Sequence, residues 1–143
     1  MTPVGIRVTS VMELYEDALK RCGIQSGMRV FDLECGTGDA SLSIARLVGP
    51  TGLVVGIDKS TEAIEVAQRR ATLAGLCSWT RFVAADLNTF VRGERFDAVV
   101  VRLTGLPQVE HISFSRLSTY VSSYGIIVII SDRPLGNACS PLR

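Results

Sequence analysis

The chain has 143 residues, 47% of them hydrophobic and 20% charged, with a formal net charge of +1. That length suits one domain with a core of its own, and the composition excludes a disordered chain. Near-neutral charge with no basic stripe excludes phosphate-backbone recognition, so no nucleic acid is expected as a partner.

In chain order, residues 11–22 are expected to form a first helix. Ser10 and Glu13 have capping-box spacing, Val11, Tyr15, Ala18 and Cys22 share a face, and Gly23 suits the C-terminal cap. Residues 29–33 then read as a strand running into a glycine loop, and residues 40–48 as a helix stopped by "GPTG". A second strand, 53–58, is apolar on both faces. Ser60 caps the next helix, in which Ile64, Ala67, Ala71 and Ala74 fall on one side and which Gly75 ends. Residues 80–85 form a third strand running to Asp86, and residues 96–101 a fourth. Phe114, Leu117, Val121 and Tyr124 keep helical spacing, although Ser, Thr and Val are poor helix formers. Gly125 then introduces "IIVII", the fifth strand. Trp79, Tyr120 and Tyr124 read as packing residues.

Strands that alternate with helices and lack a polar face imply a parallel sheet covered on both sides. The expected fold is therefore α/β, a doubly wound, mostly parallel sheet of about five strands. The expected division is a single domain over 1–143, with an N-terminal helix in 1–25, an α/β core in 26–131 and a tail in 132–143. Four cysteines with no CxxC pair, beside a single histidine, offer no zinc-ligand set, and no metal is expected. Free thiols and no signal peptide point to the cytoplasm. The apolar runs "AVVV" and "IIVII" fall far short of the ~20 residues that span a bilayer, so no membrane is expected as a partner.

Ligands of such sheets sit beyond the carboxyl ends of the strands. Those ends carry Asp32 with the glycine loop, Asp58, Asp86 and Arg102. Asp58 lies 20 residues after Gly38, where a carboxylate can accept hydrogen bonds from ribose hydroxyls. A dinucleotide fingerprint needs a third glycine, and Ser41 stands there instead. Asp39 would also place a negative charge where a pyrophosphate binds. A cofactor without phosphates meets no such repulsion.

These stretches together resemble the Rossmann-like, S-adenosylmethionine-dependent methyltransferases, especially their small-molecule methyltransferase-domain branch. "VFDLECGTGDAS" is similar to the family's glycine-rich first motif, "VVGIDKS" to the second-strand motif, "FVAADL" to the adenine motif and "FDAVVV" to the fourth strand. The resemblance implies a Rossmann-like methyltransferase fold with S-adenosylmethionine as cofactor. It also implies that Asp32 orients the methionine amino group and that Gly36 and Gly38 line the methionine and ribose side. Asp58 would grip the ribose diol, with Lys59 beside the adenine face. Asp86 would accept from the adenine amino group, with Leu87 next to the ring. Arg102, at the tip of the fourth strand, is placed with this cofactor-binding set; it could bind an acidic substrate or equally form a surface ion pair.

The chain departs from the family at two points. Glu34 stands where the first glycine belongs, adding bulk and charge to the cofactor loop; in an extended chain it would point the same way as Asp32. The family sheet has seven strands, so this chain lacks the usual last two, and "IIVII" would be an open apolar edge suited to a homodimer. The expected function is methyl transfer from S-adenosylmethionine to a small-molecule acceptor, with His111 as the candidate base. The alternative is a truncated, non-catalytic domain that binds cofactor weakly or serves as a pairing module.

Overall fold

The computed structural model describes residues 4–10, 15–87, 90, 93–103 and 114–131. Their elements are strand β1 (Gly5–Ser10), helix α1 (Tyr15–Arg21), β2 (Arg29–Leu33), α2 (Asp39–Val48), β3 (Leu53–Asp58), α3 (Thr61–Leu73), a 3-10 turn (Cys77–Trp79), β4 (Thr80–Ala84), β5 (Phe96–Leu103), α4 (Phe114–Ser118) and β6 (Val121–Ser131). The strands make one sheet in the order β1-β6-β5-β2-β3-β4, and every neighbouring pair is parallel. The order in which successive strands are added reverses between β2 and β5, β3 and β4 lying to one side and β5 and β6 to the other, which opens the crevice of a doubly wound fold there.

Two cores form because the central strands are apolar on both sides. On one face Leu19, Ile44, Ile64 and Ala71 of α1, α2 and α3 pack on Val30, Val54, Val100 and Ile130. On the other, Leu87, Leu117 and Tyr120 cover Phe31, Leu33, Val99 and Ile127. Phe31 sits among rings there, 4.9 Å from Phe96 and 5.1 Å from Tyr120 between centroids. Each fully buried side chain of this kind contributes about 1.5–3 kcal/mol. Local sequence sets the helix ends: the Ser60 hydroxyl accepts from the Ala63 amide at 3.1 Å, and Gly49, at φ 66, closes α2 through its own N–H to the Ala45 carbonyl.

Four expectations need correction. The sheet has six strands, because β1 precedes the first helix and pairs with β6 from Gly5 opposite Ile126 to Ser10 opposite Ser131. The expected open edge of "IIVII" is therefore closed by the chain itself, and the ground for a homodimer through it falls away. The signal was present: Ile6, Arg7, Val8 and Thr9 alternate apolar and polar, as a half-covered edge strand does. Ser10 thus ends a strand. The first helix is described from Tyr15 onward, and Glu13 lies outside the described residues.

The second correction concerns the helix expected through Tyr124. It stops at Ser118, and β6 begins at Val121, where the Phe96 amide donates to the Tyr120 carbonyl at 2.7 Å. The β-branched and serine-rich stretch gains more from sheet pairing than from a helix it propagates poorly. Phe96 faces Val121 and Ala98 faces Ile126, so residues 122–125 bulge opposite Asp97 alone. Third, Tyr124 on that bulge has φ 64 and is 75% exposed, so it does not pack, whereas Tyr120 is buried and donates its hydroxyl to the Phe90 carbonyl at 2.8 Å. Fourth, Cys22 is disulfide-bonded, although Cys35 and Cys77 are free thiols as expected.

Candidate functional site

The carboxyl ends of β2, β3, β4 and β5 converge on the crevice. Asp32, near the end of β2, is buried on the α1–α2–α3 face and accepts a hydrogen bond from the Ser41 hydroxyl of α2. Burial pushes its carboxyl up to about 6, against the lowering effect of Ser41 and of the Arg102 charge, while Asp58 adds a smaller upward push. Ser41 occupies the position of a third glycine, and in this chain that position holds the donor that stabilises Asp32. A hydroxyl nine residues after the acid, within the first turn of α2, was the available signal.

The loop between β2 and α2 is set by backbone conformation. Strand β2 stops at Leu33, and Glu34 adopts φ 54, the left-handed region that glycine would occupy. Glu34 is exposed, so the extended geometry that would have crowded it against Asp32 does not occur. Gly38 has φ 91, and a Cβ there would stand 3.2 Å from Cβ of Ala67, so this glycine lets α2 start close against α3. Gly36, at φ 56, opens onto free space, with nothing within 4 Å of a Cβ built on it.

Asp58 ties the loop to the next helix. One carboxylate oxygen accepts from the Gly36 amide at 2.9 Å and the other from the Ser60 amide at 2.9 Å. An ionised carboxylate has about four lone-pair sites, so two stay available to a ligand's hydroxyls. Beside it Lys59 reaches Asp86 at 3.8 Å, both well exposed, so the pair flanks the opening and contributes little to stability. Leu87 is buried beneath this rim in the second core. Arg70 of α3, which sequence reasoning missed, donates at 2.8 Å to the Thr37 carbonyl and at 2.8 Å to Asp39. Nothing in the helical spacing marks it, because its role depends on how α3 packs over the loop.

On the β5 side the Arg102 guanidinium lies over the Tyr15 ring, 5.5 Å from its centroid. The Cys35 thiol is pushed up to about 12, first by burial and then by the charges of Asp32 and Asp58, so it stays protonated. His111 and the rest of residues 104–113, which follow β5, lie outside the described residues. Among the described residues, no group of three His, Cys, Asp or Glu side chains is placed to hold a metal ion. A separate recess of about 440 Å³ lies between α3 and the outer strand β4, lined by Gln68, Thr72, Cys77 and Arg81 among others, and includes none of the crevice residues.

A family model described as a methyltransferase domain matches residues 24–133, most of the chain and all of the crevice described above. The chain belongs to this family. A probable cobalt-precorrin-6B C(15)-methyltransferase (decarboxylating) of Thermoplasma acidophilum is 32% identical over 131 residues, covering 90% of this chain and 59% of that protein. A ubiquinone/menaquinone biosynthesis C-methyltransferase of Pseudomonas putida is 38% identical over 90 residues, covering 62% of this chain and 35% of that protein. The methyltransferase domain therefore spans under two thirds of the length of either relative. In fold it is similar to a SAM-dependent methyltransferase of Thiobacillus denitrificans solved with S-adenosyl-L-homocysteine, with TM-score 0.66 and 23% identity over 80% of this chain and 46% of that one.

The family's cofactor is S-adenosylmethionine, and the residues of this methyltransferase domain fit it. Asp58 keeps acceptor sites that suit a diol, Gly36 leaves space beside the loop, and Asp32 adds a second carboxylate at the end of the neighbouring strand. No helix among the described residues is long and apolar enough to cross a membrane.

Proposed function

We propose that this methyltransferase domain binds S-adenosylmethionine in the crevice between β2 and β5 and transfers its methyl group to a small-molecule acceptor. The observation that carries the reading is Asp58, whose two oxygens are each anchored by a backbone amide while still offering acceptor sites to a ribose diol. Asp86 and the Leu87 backbone would take the adenine edge, Lys59 its face and Asp32 the methionine ammonium, with Gly36 and Gly38 allowing close approach. The bound cofactor supplies an activated methyl group on a sulfonium.

The chain's own contribution is alignment and exclusion of water around that group, with His111 the candidate base for an acceptor that arrives protonated. The names of the two curated relatives, which describe small-molecule methylation, support a small-molecule acceptor. The cytoplasmic setting keeps the support of the free Cys35 and Cys77 thiols and loses that of Cys22. The non-catalytic alternative rested on Glu34 in the cofactor loop, on the open edge of the expected fifth strand and on the missing last two strands; an exposed Glu34 with glycine-like backbone weighs against the first and the β1–β6 pairing against the second. Calorimetric titration tests the reading: S-adenosylmethionine and S-adenosylhomocysteine should both bind, and silence at millimolar ligand would sink it.

A further inference from the structure

The loop between β2 and α2 has little conformational preference of its own. Thr37 is flanked by Gly36 at φ 56 and Gly38 at φ 91, and glycine enters or leaves the left-handed region at almost no cost. Contacts from two neighbouring elements hold it. From β3, the Ile57 carbonyl accepts from the Cys35 amide at 2.9 Å and the Asp58 carboxylate from the Gly36 amide at 2.9 Å. From α3, one guanidinium nitrogen of Arg70 donates at 2.8 Å to the Thr37 carbonyl and at 2.8 Å to Asp39. Arg70 lies one helical turn after Ala67, the residue that Gly38 packs against, so two successive turns of α3 bear on the loop. Both side chains of the Arg70–Asp39 pair are partly exposed, which makes the pair a minor stabiliser of the fold. Its charged donor on a backbone carbonyl has a second effect: it fixes where that carbonyl points. The same helix also secures the far side of Asp58, because Ser60, which caps α3, donates its amide to the second carboxylate oxygen at 2.9 Å. The contacts close a ring from Asp58 to Gly36, along the chain to Thr37, across to Arg70, and back through α3 to Ser60 and Asp58.

We propose that Arg70 is a positioning residue for the cofactor site: by holding the Thr37 carbonyl it keeps the Gly36 amide on Asp58 and so aims the Asp58 carboxylate at a ribose diol. This inference rests on the cofactor reading above. Without the Arg70 contact the two glycines are free to turn, the Gly36 amide drifts from Asp58, and the lost order must be restored each time a ligand binds. One nitrogen makes both Arg70 bonds, so a lysine ammonium with its three donors can stand in for it, whereas an apolar side chain cannot.

Calorimetric titration of the full chain with S-adenosylhomocysteine and its 2′-deoxy analogue, which lacks one hydroxyl of the diol, reads this role. The wild type should prefer S-adenosylhomocysteine by about 10-fold or more. Arg70→Met should weaken S-adenosylhomocysteine by about 3-fold to 30-fold and the deoxy analogue less, so that the preference narrows. Arg70→Lys should restore part of the preference. The urea midpoint of Arg70→Met should stay near that of the wild type, because the ion pair it removes is partly exposed. Equal losses for the two ligands, an unchanged preference or a collapsed midpoint would each reduce Arg70 to a structural contact and overturn the proposal. A wild type indifferent to the missing hydroxyl would overturn it as well, while leaving cofactor binding intact. If neither ligand binds the wild type, the cofactor reading itself fails and the positioning role with it.

Discussion

Asp32 is 3% exposed, and its burial outweighs both the Ser41 hydrogen bond and the nearby Arg102 charge. Its carboxyl titrates near 3.8 in the unfolded chain and near 6 in the folded one. Between those values the folded state binds more protons at this site, so the contribution of Asp32 to stability is most favourable below about pH 4 and falls as pH rises to about 6. The full swing is on the order of 3 kcal/mol. Asp32→Asn keeps an acceptor for Ser41 and removes the charge. It should therefore be more stable than wild type by about 1–3 kcal/mol at pH 8, with no advantage at pH 4. Urea unfolding at both pH values checks this; a variant no more stable at pH 8 would show that the ionised carboxylate is not a burden. The same variant should bind S-adenosylmethionine at least ~10-fold more weakly, because the ammonium loses its counter-charge. Glu34 poses the opposite case. An L-residue at φ 54 is strained by about 1–2 kcal/mol, and glycine's greater freedom in the unfolded chain gives back part of the relief. Glu34→Gly should raise stability by up to ~1 kcal/mol in thermal melts and leave cofactor affinity equal or higher. A fall in affinity would mean that the Glu34 carboxylate assists binding.

At the scale of elements, the acids at the crevice are legible in sequence because each follows a continuous apolar run, and such runs end where a buried parallel strand ends. Asp32, Asp58 and Asp86 need only that pattern to be placed on one edge of the sheet. What holds them is not legible in the same way. Ser41, Arg70 and Tyr15 act across the interfaces of α2, α3 and α1 with the loop or the sheet, and single-chain periodicity carries no record of who faces whom. The α4–β6 boundary fails for a different reason: Leu117, Val121 and Tyr124 do fit a helical stripe, but Val121 is opposite Phe96 in the sheet, and that pairing wins. The bulge that follows depends on Gly125. A Cβ there would stand 2.5 Å from Cγ1 of Val121, 2.8 Å from the Asp97 carbonyl and 2.9 Å from the Ser122 carbonyl. Two of those three neighbours are backbone and cannot swing aside. Gly125→Ala should therefore lower stability by about 1–3 kcal/mol, read as a shift in the urea midpoint with an unchanged slope. A silent substitution would show that the bulge relaxes freely.

Over the whole molecule, one sheet joins the cofactor half to the half that closes it. Strands β2, β3 and β4 carry the acids and β5 the guanidinium, while β6 and β1 extend the sheet away from the crevice. Strand β6 is apolar on both faces, with Ile127, Val128 and Ile130 buried, and without a neighbour it would expose its backbone donors and acceptors along an aggregation-prone row. β1 supplies that neighbour in parallel register, and its own alternation of apolar and polar residues makes it a milder edge than the strand it covers. Deleting residues 1–10 should therefore uncover β6 without touching any residue of the crevice. The expected outcome in sedimentation at micromolar concentration is self-association of the shortened chain, with the full chain smaller under the same conditions. Cofactor affinity per folded chain should change little, since β2, β3 and β5 keep their own partners. A shortened chain with the same sedimentation behaviour as the full one would mean that β1 is dispensable and that another segment shields the β6 edge.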